Sequence, residues 1–250
     1  MSEKICLIKQ PAGLGDILFL YKIAAKIIQQ NKATKVIWPV VSEYSYLQQY
    51  IGTDKINFVP LTSDFPHKNL YNRYQEIYND NEVLFLPLQN ADSLLPSNPE
   101  TSNHPMYVKY ELVAEEYRDW KSYIHLNRNI KREQKIKNYF VKNDVTDYIL
   151  VNRMYGTPPD CTRGYVPEFA NEIEINAFQV EGSRIFDWLL IAEHAKEIHT
   201  VETGLCYLFD ILNLQNVTVY PKRVTDNVMT DFGYIKNIYN TNWKYYNEKS

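Results

Sequence analysis

The sequence predicts an α/β protein in two halves, each built around a parallel sheet. Short apolar runs alternate with amphipathic stretches, two of these runs break at glycine-bearing turns into helices, and the alternation restarts after residue 144. The first run, Ile5 to Ile8, breaks at Lys9-Gln10-Pro11-Ala12-Gly13-Leu14-Gly15-Asp16 and resumes as a helical pattern from Asp16 to Gln30.

Further strands are predicted at Lys35 to Val41, Ile56 to Leu61 and Val83 to Leu88, with a shorter helix from Ser42 to Tyr50. Near-continuous apolar runs of this length suit strands covered on both faces. Ala91 to Pro105, with Pro96, Pro99 and Pro105, reads as a long irregular connection, a class that is usually functional or mobile. An aromatic-rich helical pattern from Met106 to Tyr123 and a charged one from Asn129 to Lys142 close the first half.

The second half starts with a strand at Tyr148 to Asn152 and a Gly/Pro loop from Arg153 to Pro167. A strand at Ala177 to Val180, a helix from Ser183 to His194 and a strand at Glu197 to Val201 come next. A helix from Thr203 to Leu212 and a strand at Asn216 to Tyr220 follow. The tail from Asp226 to Ser250 reads as a terminal helix returning to the first half or as a frayed end. The expected domains are 1–144 and 145–250. Such a pair places a ligand cleft at the carboxyl ends of the strands.

Composition narrows the function classes. Hydrophobic content of 45% with 23% charged residues is ordinary for a soluble protein, and 21 tyrosines supply polar-tipped rings of the kind that line clefts. A net charge of −3 removes nucleic acid as an expected partner. Three widely spaced cysteines, Cys6, Cys161 and Cys206, fit neither a zinc site nor a disulfide framework and point to a reducing, cytoplasmic setting. No apolar run is long enough to span a bilayer, so no transmembrane segment is expected.

The first turn departs from a dinucleotide fingerprint, because the sixth position of G-x-G-x-x-G is Leu18, and it is no P-loop. Gly13 and Gly15 let backbone approach a ligand closely, while Asp16 either caps the helix or serves as a base facing a cleft. A second strand-to-helix turn lies at Glu202-Thr203-Gly204. Unpaired N–H groups there, with the Thr203 hydroxyl and the helix dipole, suit a diphosphate or else form an ordinary capped helix. The Glu202 carboxylate suits sugar or ribose hydroxyls.

Arg153, directly after a strand, either neutralises a leaving diphosphate through bidentate bonds or is a surface arginine in a loop. Arg163 and Lys222 are weaker candidates, and Glu181 is a candidate sugar, ribose or base contact. His67, His104, His125, His194 and His199 do not fall at ligand spacing, and no Asp-x-Asp pair is present, so no metal is expected. His199 reads as a packing residue. No serine elbow or cysteine–histidine pairing stands out.

Gly-Leu-Gly-Asp after the first strand together with Glu-Thr-Gly-Leu opening a late helix resembles the heptosyltransferase-like glycosyltransferases of the GT-B fold, glycosyltransferase family 9-like. The resemblance implies two Rossmann-like domains facing across a cleft. It implies an acceptor on the N-terminal side and a nucleotide-sugar donor held by the C-terminal one. It further implies inverting, metal-independent transfer to a glycan or other hydroxyl acceptor in glycan biosynthesis, with no cofactor and a hexosyl- or deoxyhexosyl-type sugar. Asp16 matches the family's proposed general base, and Thr203 and Gly204 match its diphosphate donors. Glu202 replaces the usual aspartate, and Tyr207 stands near a position where the family often has histidine. Competing readings are a nucleotide-sugar epimerase on the same scaffold and a non-catalytic nucleotide- or carbohydrate-binding module.

Overall fold

The computed structural model describes residues 3–95, 105–141, 147–176, 180, 182–221, 238–239 and 242–246. The chain divides into two compact units, Met1–Asn127 and Arg128–Ser250. Both are mixed α/β units with parallel sheets, as the alternating pattern predicts.

In the first unit the order is β1 (Ile5–Ile8), α1 (Leu14–Gln29), β2 (Lys35–Val40), α2 (Leu47–Tyr50) and β3 (Ile56–Pro60). It continues with α3 (Lys68–Arg73), β4 (Tyr78–Asn79), β5 (Val83–Leu86), α4 (Ala91–Leu94) and α5 (Pro105–Glu111). The sheet runs β3-β2-β1-β5-β4 and is parallel except for the β4 edge. Its central strand is β1, where Cys6, Leu7 and Ile8 are fully buried. Side chains alternate between the two faces. Leu7 and its register partner Phe85 join Ile37, Phe65, Tyr71 and Val83 in a cluster on one face. Phe19 of α1 meets Tyr110 of α5 and Trp120 edge-on, with centroids 5.0 and 5.8 Å apart.

In the second unit the order is α6 (Ile130–Phe140), β6 (Ile149–Asn152), β7 (Met154–Tyr155), β8 (Thr162–Arg163) and β9 (Glu172–Glu174). Then come α7 (Leu189–His194), β10 (Glu197–Val201), α8 (Gly204–Ile211), β11 (Val217–Tyr220) and β12 (Lys244–Tyr245). This sheet runs β12-β11-β10-β6-β9, all parallel, with β10 central, and β7 and β8 form a separate antiparallel ribbon.

Three sequence expectations are revised, and one strand lies where none was expected. The units divide at Asn127/Arg128 instead of 144/145, because α6 packs within the second unit. Arg128 binds Glu133 on α6 and Glu193 on α7, Arg132 pairs with buried Asp187 at 2.9 Å, and the Phe140 ring lies 4.8 Å from Trp188. A charged amphipathic helix carries no mark of which sheet it will cover.

A strand lies at Glu172–Glu174, where none was expected; of the strand expected at Ala177–Val180, residues 177–179 lie outside the described ones. Glu-Ile-Glu has no apolar run and pairs only as an edge strand. The helix expected from Met106 to Tyr123 stops at Glu111; Ala114 adopts a left-handed φ of 55°, and a 3-10 turn follows at Trp120–Tyr123. The described part of the tail returns to the second sheet as edge strand β12, with Trp243 Nε1 donating to the Leu214 carbonyl at 2.6 Å.

Glu133 is fully buried against Arg128, and removing one partner of a buried pair leaves an uncompensated charge. Glu133→Gln is therefore expected to destabilise the second unit by about 3 kcal/mol. Urea unfolding followed by tryptophan fluorescence measures the change, and a midpoint equal to wild type would count against this account of α6.

Candidate functional site

At the carboxyl end of β1 the chain turns into α1 through Gly13, whose φ is +82°. The backbone angle calls for glycine, and a Cβ there would lie 2.6 Å from Asp16 Oδ2, so that the carboxylate would have to move. Gly13 also supplies the helix N-cap, with its carbonyl accepting from the Ile17 N–H at 3.0 Å. Asp16 is thus not the capping residue. It sits in the first helical turn, where the dipole favours a carboxylate. Gly15 is an ordinary helical position without positive φ.

Buried Lys109 of α5 donates to Asp16 Oδ1 and, at 3.0 Å, to Gln10 Oε1. Gln10 in turn donates to the Ala12 carbonyl at 2.7 Å and accepts from Trp38 Nε1 through its own carbonyl at 2.9 Å. One carboxylate oxygen of Asp16 is held by this network. The other, Oδ2, has no hydrogen-bond donor among the described residues, and the side chain is 31% exposed. Nothing in sequence pointed to Lys109, which lies 93 positions from Asp16 beyond the long connection.

At the carboxyl end of β10 the chain enters α8 through Thr203, an extended N-cap whose Oγ1 accepts from the Leu205 N–H at 3.2 Å. Its carbonyl accepts from the Cys206 N–H at 3.0 Å. The N–H groups of Thr203 and Gly204 have no acceptor among the described residues, and both residues are half-buried. Asn152, buried at the end of the neighbouring β6, fixes this turn. Its Nδ2 donates to Thr200 Oγ1 at 3.0 Å, to the Met154 carbonyl at 3.2 Å and to Thr203 Oγ1 at 3.5 Å. The sheet reverses its strand order between β6 and β10, the place where parallel sheets bind ligands. Glu202 lies half-buried in the same turn, its N–H donating to the Tyr220 carbonyl at 2.9 Å.

The expectation that Arg153 meets a diphosphate is corrected. Its side chain is buried, and the five donors of the guanidinium all reach protein acceptors: the carbonyls of Val166 and Pro167 at 3.1 and 2.7 Å, both oxygens of Glu172, and Glu174. The Arg153 guanidinium holds the Glu172 carboxyl below its ordinary range. Arg163 is likewise engaged, through both oxygens of Glu174 at 2.6 and 3.0 Å. Sequence could not foresee this clamp, because it depends on β9 returning beside β6.

Glu181 and Lys222 lie outside the described residues. His199 packs as expected, bonded to the Tyr220 hydroxyl at 3.0 Å and Glu197 at 3.1 Å, with its ring 4.1 Å from that of Phe169. Tyr207 is buried in α8 with its ring 4.9 Å from that of Tyr239.

No family model matches the chain, and no curated protein matches it. Solved structures do. Two structures of TibC, described as a bacterial iron-containing dodecameric glycosyltransferase from enterotoxigenic E. coli H10407 and as a heptosyltransferase in complex with ADP-D-beta-D-heptose, each match with a TM-score of 0.50. Their identities are 9% and 8%, over 88% and 99% of this chain. A glycosyl transferase family 9 protein from Veillonella parvula DSM 2008 matches with a TM-score of 0.49 and 9% identity, over 88% of this chain and 80% of that one. The fold is GT-B-like.

Within this GT-B-like chain the alignment spans 58% and 63% of the length of the two TibC chains. Among the described residues, no three His, Cys, Asp or Glu side chains group to hold a metal ion. No described helix is long and apolar enough to cross a membrane.

Gly13→Ala is expected to destabilise the first unit by about 1–3 kcal/mol, because alanine is strained at this φ and its Cβ meets Asp16. Thermal unfolding measures this; a stability within error of wild type would refute the steric account. The Glu172 shift gives a pH dependence. Its folded pKa lies below the ordinary value of 4.5, so its contribution to stability is complete above that pH and is lost as pH falls through the folded value. Urea midpoints across pH 3 to 6, roughly, should fall more steeply on the acid side in wild type than in Glu172→Gln.

Proposed function

We propose that this protein transfers a sugar from a nucleotide-sugar donor to a hydroxyl acceptor, with inversion and without a metal. One observation carries the proposal: on a GT-B-like fold, the central strand of each sheet ends in a helix start. One presents a half-open carboxylate and the other presents N–H groups that have no acceptor among the described residues.

In this reaction Asp16 takes the proton of the acceptor hydroxyl through Oδ2 while Lys109 holds Oδ1 in place. The acceptor oxygen bonds to the anomeric carbon from the face opposite the nucleotide. The bond from that carbon to the diphosphate oxygen breaks, and configuration inverts. The N–H groups of Thr203 and Gly204, at the positive end of the α8 dipole, receive the charge that develops on the departing diphosphate. Asn152 keeps that helix start in position, and Glu202 accepts hydrogen bonds from sugar or ribose hydroxyls. The proposed work site is the cytoplasm. The sugar is hexosyl- or deoxyhexosyl-type, although the ADP-heptose complex of TibC makes ADP-heptose a necessary member of any donor panel.

Nucleotide release from a panel of ADP- and UDP-sugars, with and without glycan acceptors and with a chelator present, tests the proposal. Asp16→Asn is expected to lower transfer by about 10²- to 10⁴-fold while nucleoside diphosphate affinity stays within about twofold. Asn152→Ala should weaken nucleoside diphosphate binding instead. Undiminished transfer by Asp16→Asn would remove the base, and conversion of the donor without any acceptor would favour an epimerase.

A further inference from the structure

Gln10 joins the end of β1, the turn before Gly13 and helix α5. Its backbone carbonyl accepts from buried Trp38 Nε1 at 2.9 Å, which anchors the main chain at the strand end to β2. Its side chain is buried, and both ends of the amide are committed. Nε2 donates to the Ala12 carbonyl at 2.7 Å, and Oε1 accepts from Lys109 Nζ at 3.0 Å. Turning the amide over would set its NH₂ against the ammonium and its oxygen against the Ala12 carbonyl, so the two neighbours fix its orientation.

Lys109 is 6% exposed, and a buried ammonium has to be both paired and hydrogen-bonded. Asp16 meets its charge, and Gln10 takes a second of its three donors without adding a charge. Among the described residues Asp16 is the one carboxylate paired with Lys109. A glutamate at position 10 would have nearly the shape of glutamine, but it could not donate to the Ala12 carbonyl. It would also set a second carboxylate on Lys109, in competition with Asp16. The neutral amide therefore keeps the ammonium committed to Asp16 Oδ1.

We propose that Gln10 is a positioning residue for Asp16 and acts through Lys109: the amide fixes where the ammonium sits, and the ammonium fixes the rotation of the carboxylate that leaves Oδ2 open. The proposal rests on the reading of Asp16 as the base for glycosyl transfer. A base must lie within hydrogen-bond reach of the proton it takes, and a misplacement of about 1 Å can cost about 10²-fold in rate. Gln10 acts at one remove from the acceptor, so its effect belongs to kcat and not to substrate binding.

Steady-state kinetics of Gln10→Leu, Gln10→Glu, Lys109→Met and Lys109→Arg in the whole chain test this. Both Gln10 variants are expected to lower kcat by about 10- to 100-fold, with KM for donor and acceptor within about twofold of wild type. Lys109→Arg, which keeps the charge, should recover part of the kcat that Lys109→Met loses. In an Asp16→Asn background, Gln10→Leu should change the residual rate by less than about twofold, because the two residues act as one unit. Loss of transfer in Asp16→Asn with full kcat in both Gln10 variants would overturn the positioning role and leave the base standing. Undiminished transfer in Asp16→Asn would remove the base itself.

Nitrogen-15 NMR of the lysine ammonium groups reads the same network without turnover. Wild type should show a slowly exchanging Lys109 ammonium signal that is missing from Lys109→Met, and exchange should be at least about fivefold faster in Gln10→Leu. No protected signal in folded wild type, or an unchanged exchange rate in Gln10→Leu, would overturn the proposal whatever the activity. If Gln10→Leu does not fold, Gln10→Glu and the wild-type spectrum decide the matter.

Discussion

A parallel sheet forces its central strand to hand the chain to a helix at the carboxyl edge without leaving buried backbone groups unpaired. β1 meets this constraint with Gly13, whose +82° φ bends the chain sharply and leaves room for the Asp16 carboxylate above it. β10 meets it with Thr203, an extended cap held by Asn152 from the adjacent strand. The same topological place therefore yields opposite chemistry. One helix start carries a carboxylate, and the other has two N–H groups without an acceptor among the described residues.

The charged groups near these turns divide by how far their capacity is used. Arg153 spends five donors on Glu172, Glu174 and two carbonyls, and so ties the 166–174 segment to the end of β6. Arg128 similarly joins α6 to α7 through Glu133 and Glu193. Such pairs offset much of their own desolvation cost, and their main effect is to fix geometry. Asp16 differs, because Lys109 engages Oδ1 and Oδ2 has no donor among the described residues. A carboxylate oriented by one oxygen and open at the other is suited to proton transfer, whereas a fully bonded guanidinium is suited to structure.

Four of the five strands of the first sheet were legible because each is a short apolar run bounded by polar or proline residues: Ile5–Ile8, Lys35–Val40, Ile56–Pro60 and Val83–Leu86 fall within their predicted ranges, whereas the two-residue edge strand Tyr78–Asn79 has no such run. Both glycine-bearing turns were legible because a continuous apolar run breaks there into a helical pattern. β9 was not. Its Glu-Ile-Glu resembles a loop until Arg153 neutralises the two carboxylates beside β6. The helical pattern after Met106 outran the real helix, because the left-handed Ala114 breaks a stretch whose composition favours continuation.

By itself, then, the sequence determined what is local: the alternation that makes two parallel sheets, the glycine that permits the first turn, and the threonine that caps the last long helix. Tertiary structure decided what depends on residues far apart in the chain. It sent α6 to the second unit, gave Arg153 to glutamates rather than to a ligand, and brought Lys109 to Asp16 across 93 positions. Periodicity and turn chemistry are written within a few residues, but the partner of a charge is set by where the chain returns.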